Sequence, residues 1–407
     1  MSLKERFEIT PGFRKWSLGL IGIGVLSLII GYIVYGTGDE VHQARFWGVL
    51  LHNSIYFLLI TNAVMFFFCA TTLALAGFQV SFKRVTEAIS ACVPVIGGIT
   101  FLVMLCIVFG HKSMIYEWLD KAAVAKDAAL TGKKGFLNPG FFLTWTVLAI
   151  GLWSILGYKM RSISRKTDDH PLSVEEGKKF MFKNTIWASL FIIWYALTIA
   201  AVIPWLWLMS LNAHWYSTLY SWYIFASSFV AGIALISVFV VYMKNKGYLQ
   251  FTNKEHLHDL GKFQFAFSIF WTYLWFAQFM LIWYANISEE TIYFKARAEG
   301  AYSGIFYLNL VINFLAPILI YMSTPTKRNY TVVTFMSVAL LFGHWLDFYQ
   351  IVFAGLIPDH VPMGLFDFGI AAGFVGVIIY QSGRVMAKFP LLAENHPFFK
   401  ESIIHYT

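Results

Sequence analysis

The stretch YTVVTFMSVALLFGHWLDFYQIVF, Tyr330–Phe353, decides the fold class of this chain. It is almost entirely apolar and is longer than the roughly 20 residues that an α-helix needs to cross a hydrocarbon core. It also contains a histidine and an aspartate, His344 and Asp347, which are costly to place inside a membrane. The stretch therefore predicts a membrane-spanning helix that carries a buried ionisable pair.

The composition of the whole chain agrees with this interpretation. Of 407 residues, 58% are hydrophobic and 13% are charged, and the mean hydropathy is +0.64. Such values are far from those of a soluble globular protein. No alternation typical of a β-barrel is present, so residues 1–407 are predicted to form one all-α, polytopic membrane domain. The ten predicted spans are Trp16–Tyr35, Trp47–Ala76, Ala88–Gly110, Phe141–Tyr158, Asn184–Met209, Tyr220–Tyr242, Phe263–Ile287, Gly304–Met322, Tyr330–Phe353 and Phe366–Met386.

The distribution of basic residues predicts the orientation in the membrane, because cytoplasmic loops are enriched in Lys and Arg. Most of the 30 basic residues fall on the N-terminal side of the first span, where Lys4 lies, and on every second connection after it. The opposite side carries only Arg45, Lys112, Lys121, Lys126, Lys133, Lys134, Lys295 and Arg297. Both termini are therefore expected in the cytoplasm. The net charge of +8 belongs to this asymmetry, so it does not indicate nucleic acid binding.

Two features of the outer side are also predicted. The stretch SMIYEWLDKAAVAKDAAL, Ser113–Leu130, is expected to form a surface helix that is closed by a turn at Asn138–Gly140. Aromatic residues crowd the outer ends of the fifth and sixth spans, where amphipathic rings favour the membrane interface. This predicted aromatic belt comprises Trp205, Trp207, Trp215, Trp222 and Tyr223.

The spacings Gly369-x-x-x-Gly373 and Ser228-x-x-x-Gly232 place small residues on one helix face. Such faces allow two helices in a membrane to approach closely. These motifs predict packing rather than chemistry.

Ligands for redox cofactors are scarce in the sequence. Cys69, Cys92 and Cys106 are isolated from one another, so no iron–sulfur cluster or zinc motif is formed. His52 and His344 are the only histidines placed for a membrane haem, and no phosphate-binding loop or zinc-protease motif occurs in a suitable context. We expect the chain itself to bind no haem, cluster or metal. If electrons pass through its complex, other subunits must carry them.

The ionisable and polar residues within the spans are the strongest functional signal. Thr334, Ser337, His344 and Asp347 are spaced so that they share one face of the ninth helix. Further ionisable or polar residues lie at the outer ends of other spans, namely His52, Asp367, Asn286, Glu289 and Glu290. The sequence thus predicts a polar stripe that rises from the centre of the membrane to its outer half.

Several functions fit such a stripe. A proton pathway would use His344, Asp347, Ser337, Thr334, Asp367 and His52. A quinol site would use a base near neutral pKa in an apolar pocket, with His52, Asn286 and Glu289 as the residues concerned. The alternatives are a structural pair that locks two helices, a plain anchor for partner subunits, and a secondary transporter whose helices are broken by Pro94, Pro204 and Pro317.

Three stretches resemble a known family. FAQFMLIWYANISEETIYF (Phe276–Phe294), FGHWLDFY (Phe342–Tyr349) and ENHPFFKESIIHYT (Glu394–Thr407) are similar to the NrfD-like, polysulfide-reductase-type membrane subunits of bacterial alternative complex III. The likeness extends over nearly the whole chain. It implies two four-helix bundles, residues 47–209 and 220–353, flanked by the first and tenth helices.

The resemblance also implies a function. The chain would be an integral membrane subunit of a respiratory quinol:cytochrome c oxidoreductase in the bacterial inner membrane, beside a homologous NrfD-like subunit and surrounded by lipid. Iron–sulfur clusters and c-type haems would belong to partner subunits, and quinol is a possible ligand. Quinol-oxidising members of the family place His and Asp in the first bundle. Here the fourth span has no ionisable residue and the polar stripe falls in the second bundle, which favours a proton pathway or a scaffold role.

The charge asymmetry generates a prediction about topology. A reporter enzyme that is active only outside the cytoplasm should give no signal when it is fused after residue 407, because the C-terminus is expected inside. A fusion in the segment 111–136 should be active and serves as the control. An active C-terminal fusion would invert the predicted orientation.

Overall fold

The computed structural model describes residues 6–168 and 170–406. Within these residues the secondary structure is helical without strands, and ten helices are long and apolar enough to cross a membrane. The predicted all-α, polytopic fold class is confirmed. Lys4 and Thr407, which belong to the predicted cytoplasmic ends, lie outside the described residues.

Each predicted span corresponds to one long helix, although the observed helices include polar residues at their ends. Thr10, Asp39, Asn138 and Asn329 accept hydrogen bonds from first-turn N–H groups and so fix where four of the helices begin. The helices are α1 Pro11–Gly36, α2 Glu40–Leu73, α3 Lys83–Phe109, α4 Pro139–Asp168, α5 Val174–Asn212, α6 Tyr220–Asn245, α7 Lys254–Ala285, α8 Ser303–Tyr321, α9 Tyr330–Leu356 and α10 Leu365–Lys388.

Prolines distort three of these helices without ending them. Helix α3 is interrupted at residues 91–92, directly before Pro94. Helices α5 and α8 each contain a wide π-helical turn, Thr198–Val202 and Val311–Leu315, just before Pro204 and Pro317. Proline removes a backbone donor and clashes with the preceding turn, which explains where the turns widen.

The helices pack as two closed rings. Helices α2, α3, α4 and α5 pack in that order, and α5 returns to α2, while α6, α7, α8 and α9 form a second ring in the same way. The rings meet where α2 packs against α6 and α9. Helices α1 and α10 pair with each other, and α10 packs on α2 and α3 of the first ring.

The α1–α10 pair is held by glycines. A Cβ atom on Gly24 would lie 2.4 Å from the Cα of Gly373, and a Cβ on Gly369 would lie 1.9 Å from Ser27 Oγ. Only glycine permits these backbones to approach so closely. At the contact between the rings, a Cβ on Gly232 would lie 3.0 Å from the Ala63 Cβ.

The outer segment differs from the prediction. In place of one surface helix there are a short 3-10 turn, Glu117–Leu119, and two helices, Lys121–Lys126 and Ala128–Lys133. Asp120 and Asp127 cap the N-termini of these two helices with their carboxylates, so a single continuous helix cannot form. The predicted turn at Asn138–Gly140 is also wrong, because Asn138 caps α4 and Pro139 is its first residue.

The glycine contact generates a prediction about stability. Gly24→Ala should destabilise the protein by about 1–3 kcal/mol, because the added methyl group collides with the α10 backbone. Gly22→Ala, on the same helix, is the matched control, since a Cβ there has no neighbour within 4 Å. Thermal unfolding of the purified protein in detergent measures the difference. Equal melting temperatures for the two variants would contradict the close packing of α1 on α10.

Candidate functional site

His344 and Asp347 lie in the interior of the second ring. Both are on α9, where they are 0% and 2% exposed, and they face α6 and α7. The helical spacing of three residues places the two side chains on the same side of α9, as the sequence predicts. Their partners come from the neighbouring helices.

Asp347 accepts three hydrogen bonds. Tyr223 donates its phenolic proton to Oδ1, while Ser227 Oγ and Trp271 Nε1 donate to Oδ2 at 2.9 and 3.2 Å. All three donors are neutral groups. The site thus lowers the free energy of a buried carboxylate through hydrogen bonds rather than through a contacting cation.

Ser227 connects the two ionisable side chains. Its Oγ lies 2.9 Å from Asp347 Oδ2 and 2.9 Å from His344 Nδ1. A hydroxyl has one proton, so it can donate to the carboxylate only while it accepts from His344 Nδ1–H. When Asp347 is protonated, its own proton can be donated to Ser227, and Ser227 then donates to a His344 Nδ1 that carries no proton, so the neutral imidazole has its proton on Nε2. The same heavy-atom contacts therefore fit two states, ionised Asp347 with a protonated Nδ1 and protonated Asp347 with an unprotonated Nδ1.

The face that carries residues 6–10 and residues 389–406 is called the inner face below, and the opposite face the outer face. Asp347 lines a small cavity on the side towards the outer face. The cavity measures about 20 Å³, which is enough for one water molecule, and its wall includes the polar side chains of Gln278, Gln350 and Arg297. Arg297 is buried, and its guanidinium lies 3.5 Å from the centre of the Tyr293 ring and donates to the Tyr293 and Ile351 carbonyl oxygens. Arg297 is the positively charged residue in the wall of this cavity.

A second polar centre, around Gln264, lies closer to the inner face. Gln264 donates through Nε2 to Ser237 at 2.8 Å and to Ser337 at 3.0 Å, and its Oε1 accepts from the Tyr321 hydroxyl at 2.9 Å. Lys327 follows at the end of the ring, where Nζ donates to the backbone carbonyl oxygens of Tyr321 and Ser323. Polar contacts therefore extend from Gln264 to the inner ends of α8 and α9.

The two centres are separated along α9. Ser337 and His344 are seven residues apart, which corresponds to about 10 Å along a helix. Ser268 of α7 is buried at a position between them in sequence, four residues after Gln264 and three before Trp271. The buried, apolar Leu340 also lies between Ser337 and His344 on α9.

The remaining predicted residues lie elsewhere. Thr334 is half-buried and bonds to the Tyr330 carbonyl oxygen of its own helix. His52 lies between the rings, with Nε2 3.0 Å from the Trp345 carbonyl oxygen and its ring against Tyr349. Asp367 is buried at the start of α10, where it accepts from Gly364 N at 2.8 Å and pairs with Arg45 at 3.5 Å.

The residues proposed for a quinol site are not brought together. His52 is fully buried between α2 and α9, whereas Asn286 and Glu289 are exposed beyond the end of α7. Asn286 adopts a left-handed conformation, φ 49°, that ends this helix. Glu290, next to Glu289, is half-buried in the first turn of the helix Ser288–Ala298.

Sequence reasoning missed the partners of the ionisable pair. Tyr223 was predicted to belong to an aromatic belt, but it is buried and bonds to Asp347. Trp207 and Trp215 are buried as well, whereas Trp222 is 48% exposed. A depth near the membrane interface does not determine which way a ring points. One signal was present in the sequence, since Tyr223 and Ser227 are four residues apart and so share a face of α6.

The tail, residues 389–406, covers the inner ends of both rings. Over the second ring, His405 Nε2 lies 2.6 Å from Asp259 Oδ2, and Asp259 also pairs with Lys262 at 2.6 Å. Over the first ring, Ser402 accepts from Ser81 N at 3.0 Å. The tail therefore lies over the end of the second ring from which the Gln264 centre is reached.

His396 anchors the first part of the tail. Its ring packs edge-on against Phe180 with the centroids 5.5 Å apart, and Nδ1 accepts from Phe398 N at 3.2 Å. Burial, followed by the nearby cations Lys83 and Arg84, holds the pKa of His396 well below its ordinary value of 6.5. The docked tail thus requires the neutral imidazole.

Comparison with known proteins adds no identification. No protein-family model matches the chain, and no curated protein matches it significantly.

The anchoring of His396 generates a prediction about pH. Because its folded-state pKa is depressed, its docking is fully stable above pH 6.5 and weakens as the pH falls from 6.5 towards the lowered pKa. Amide exchange at residues 394–398 should therefore accelerate between about pH 7.5 and 5.5 after correction for the intrinsic rate. His396→Asn retains an acceptor but does not titrate, so its exchange should show no such response. The same pH response in both proteins would assign the effect to other groups.

Proposed function

We propose that this chain is an integral membrane subunit of a bacterial respiratory quinol:acceptor oxidoreductase, and that its second ring provides a path for protons. The resemblance to NrfD-like subunits of alternative complex III supports the first part of the proposal. In such a complex, iron–sulfur and c-type haem subunits carry the electrons, and a homologous NrfD-like subunit lies beside this chain. Both termini would face the cytoplasm.

The chain of contacts from Asp347 through Ser227 to His344 supports a role in proton transfer more than any other observation. Ionisable residues inside a membrane are costly, so they are retained where they pair or conduct. A purely structural pair would be expected to join His344 directly to Asp347. Here a hydroxyl separates them, and a hydroxyl both accepts and donates a proton.

The surroundings of Asp347 suit a group that changes its charge. Burial penalises the ionised carboxylate, whereas the hydrogen bonds from Tyr223, Ser227 and Trp271 favour it. These opposing effects bring the free energies of the two protonation states closer together than burial alone would allow. Arg297, across the small cavity, adds attraction without forming a contact that would fix the charge.

The proposed path has an inner and an outer half. From the inner face it would pass the hydroxyls around Gln264, and on the outer side it would continue through the cavity beside Gln278 and Gln350. The stretch between Ser337 and His344, about 10 Å long, would need water or a rotation of Ser268 to conduct. An interrupted path prevents a passive leak of protons when the complex is not turning over.

Substitution of the carboxylate tests this proposal. Asp347→Asn retains the shape of the side chain but removes its titratable charge. The assembled complex, in sealed vesicles, should retain a substantial part of its quinol:acceptor electron transfer, while the number of protons translocated per electron falls. Acceptor reduction and external acidification are measured in the same vesicles.

Two further variants make the result interpretable. Ser227→Ala removes the bridging hydroxyl but leaves Asp347 with Tyr223 and Trp271, so it should lower translocation in the same direction even if Asp347→Asn assembles poorly. Asp359→Asn, in an exposed loop, is the control and should change neither activity. Unchanged translocation in assembled variants would assign the pair to structure, and loss of quinol binding would place the quinol site in this subunit.

A further inference from the structure

A continuous groove runs along α6 on the inner side of the molecule. The part nearer the inner face, called the lower part, has a volume of about 530 Å³ and is lined by residues of α1, α6 and α10. Its upper part has a volume of about 320 Å³ and is lined by α2, α6, α9 and α10. Val238, Phe239 and Ile379 line both parts, so the two form one groove between the α1–α10 pair and the second ring.

The upper part of the groove suits hydrocarbon. Its wall consists of aliphatic and aromatic side chains, and the Tyr56 hydroxyl is already bonded to the Leu341 carbonyl oxygen at 2.6 Å. Trp345 and Phe368, stacked with centroids 5.4 Å apart, lie at its outer end. A quinone head group would need hydrogen-bond partners that these walls do not present.

The lower part of the groove suits a negatively charged group. Lys246 lines it beside Tyr242, and no described carboxylate pairs with this lysine. The N-terminus of α1 also lines it through Thr10 and Gly12, and the positive end of a helix dipole attracts anions. Thr10 Oγ1 accepts from Phe13 N, which leaves its hydroxyl proton free to donate.

The dimensions match one leaflet of a bilayer. Lys246 and Leu235, at the two ends of the groove on α6, are eleven residues apart, or about 16 Å along a helix. This is about half of a hydrocarbon core roughly 30 Å thick. Trp16, which is 77% exposed, lies at the charged end, where an interfacial tryptophan is expected.

We propose that this groove binds an anionic phospholipid of the inner leaflet. The phosphate group lies at Lys246 and the N-terminus of α1, and one acyl chain follows α6 up to the Trp345–Phe368 stack. Basic pockets between helices on this side of a membrane bind anionic head groups in the same manner. The lipid fills the seam that the protein leaves open between the α1–α10 pair and the second ring. This inference rests on the proposed orientation, with the termini in the cytoplasm, but not on the proposed electron or proton transfer.

Lipid retention tests the proposal. The purified protein is delipidated in detergent and then offered phosphatidylglycerol or phosphatidylcholine, and bound lipid is measured by native mass spectrometry. The wild type should retain one phosphatidylglycerol per chain and gain thermal stability from it. Lys246→Ala should lower the preference for phosphatidylglycerol over phosphatidylcholine by about fivefold. Lys179→Ala, at an exposed site on α5, is the control and should leave the preference unchanged.

A second variant tests the path of the acyl chain. Val238→Trp fills the junction of the two parts, so it should abolish retention of the lipid. Ala371→Trp, in the upper part only, serves the same purpose if Val238→Trp unfolds. Equal retention in the wild type and the filled variants would overturn the proposal. So would equal affinity for the two lipids in the wild type, or an isoprenoid quinone as the co-purified occupant.

Discussion

The close contact of α2 with α6 is the constraint on which the rest of the structure depends. A Cβ atom on Gly232 would lie 3.0 Å from Ala63 and 3.1 Å from the Ile60 carbonyl oxygen, so a side chain at this position would push the two rings apart. Because the rings meet here, α2 and α6 are each surrounded by protein along most of their length. A polar group on these two helices is therefore costly unless it finds a partner inside the protein.

This requirement explains where the polar contacts of the second ring lie. On α6, Gly232 faces the first ring, whereas Tyr223 and Ser227 point towards α9 and bond to Asp347. The same helix thus joins the rings on one side and satisfies a buried carboxylate on another. On α2, His52 bonds to the Trp345 carbonyl oxygen, and Asn53 accepts from the Trp345 indole N–H. These two bonds hold α9 against the first ring. The position of α9 is accordingly fixed from two directions.

The fold was largely predictable from the sequence, and the site only in part. Ten spans follow from length and hydrophobicity, because a membrane leaves the backbone almost no choice but a helix. The spacing of His344 and Asp347 likewise gave a shared face of α9. The spacing within one helix does not give its rotation against the next, so the roles of Tyr223 and Trp271 were not foreseen. The prediction of one continuous helix at residues 113–130 was wrong for a local reason. Asp120 and Asp127 are better at capping a helix than at lying inside one.

The first ring offers a contrast that bears on function. Its buried charges lie at its inner end, where Arg84 pairs with Glu87 at 2.7 Å and also with Asp168. Ser164 donates to Glu87 as well, and Arg161 donates to Ser90 at 3.2 Å. Direct contacts of this kind fix the charges, and removal of one partner would leave an uncompensated buried ion. The three donors that bond to Asp347 in the second ring are neutral groups, and Asp347 lies next to a cavity. Two rings with the same helix order thus hold ionisable residues differently: the first pairs them with opposite charges at its inner end, and the second surrounds a carboxylate with neutral hydrogen-bond donors.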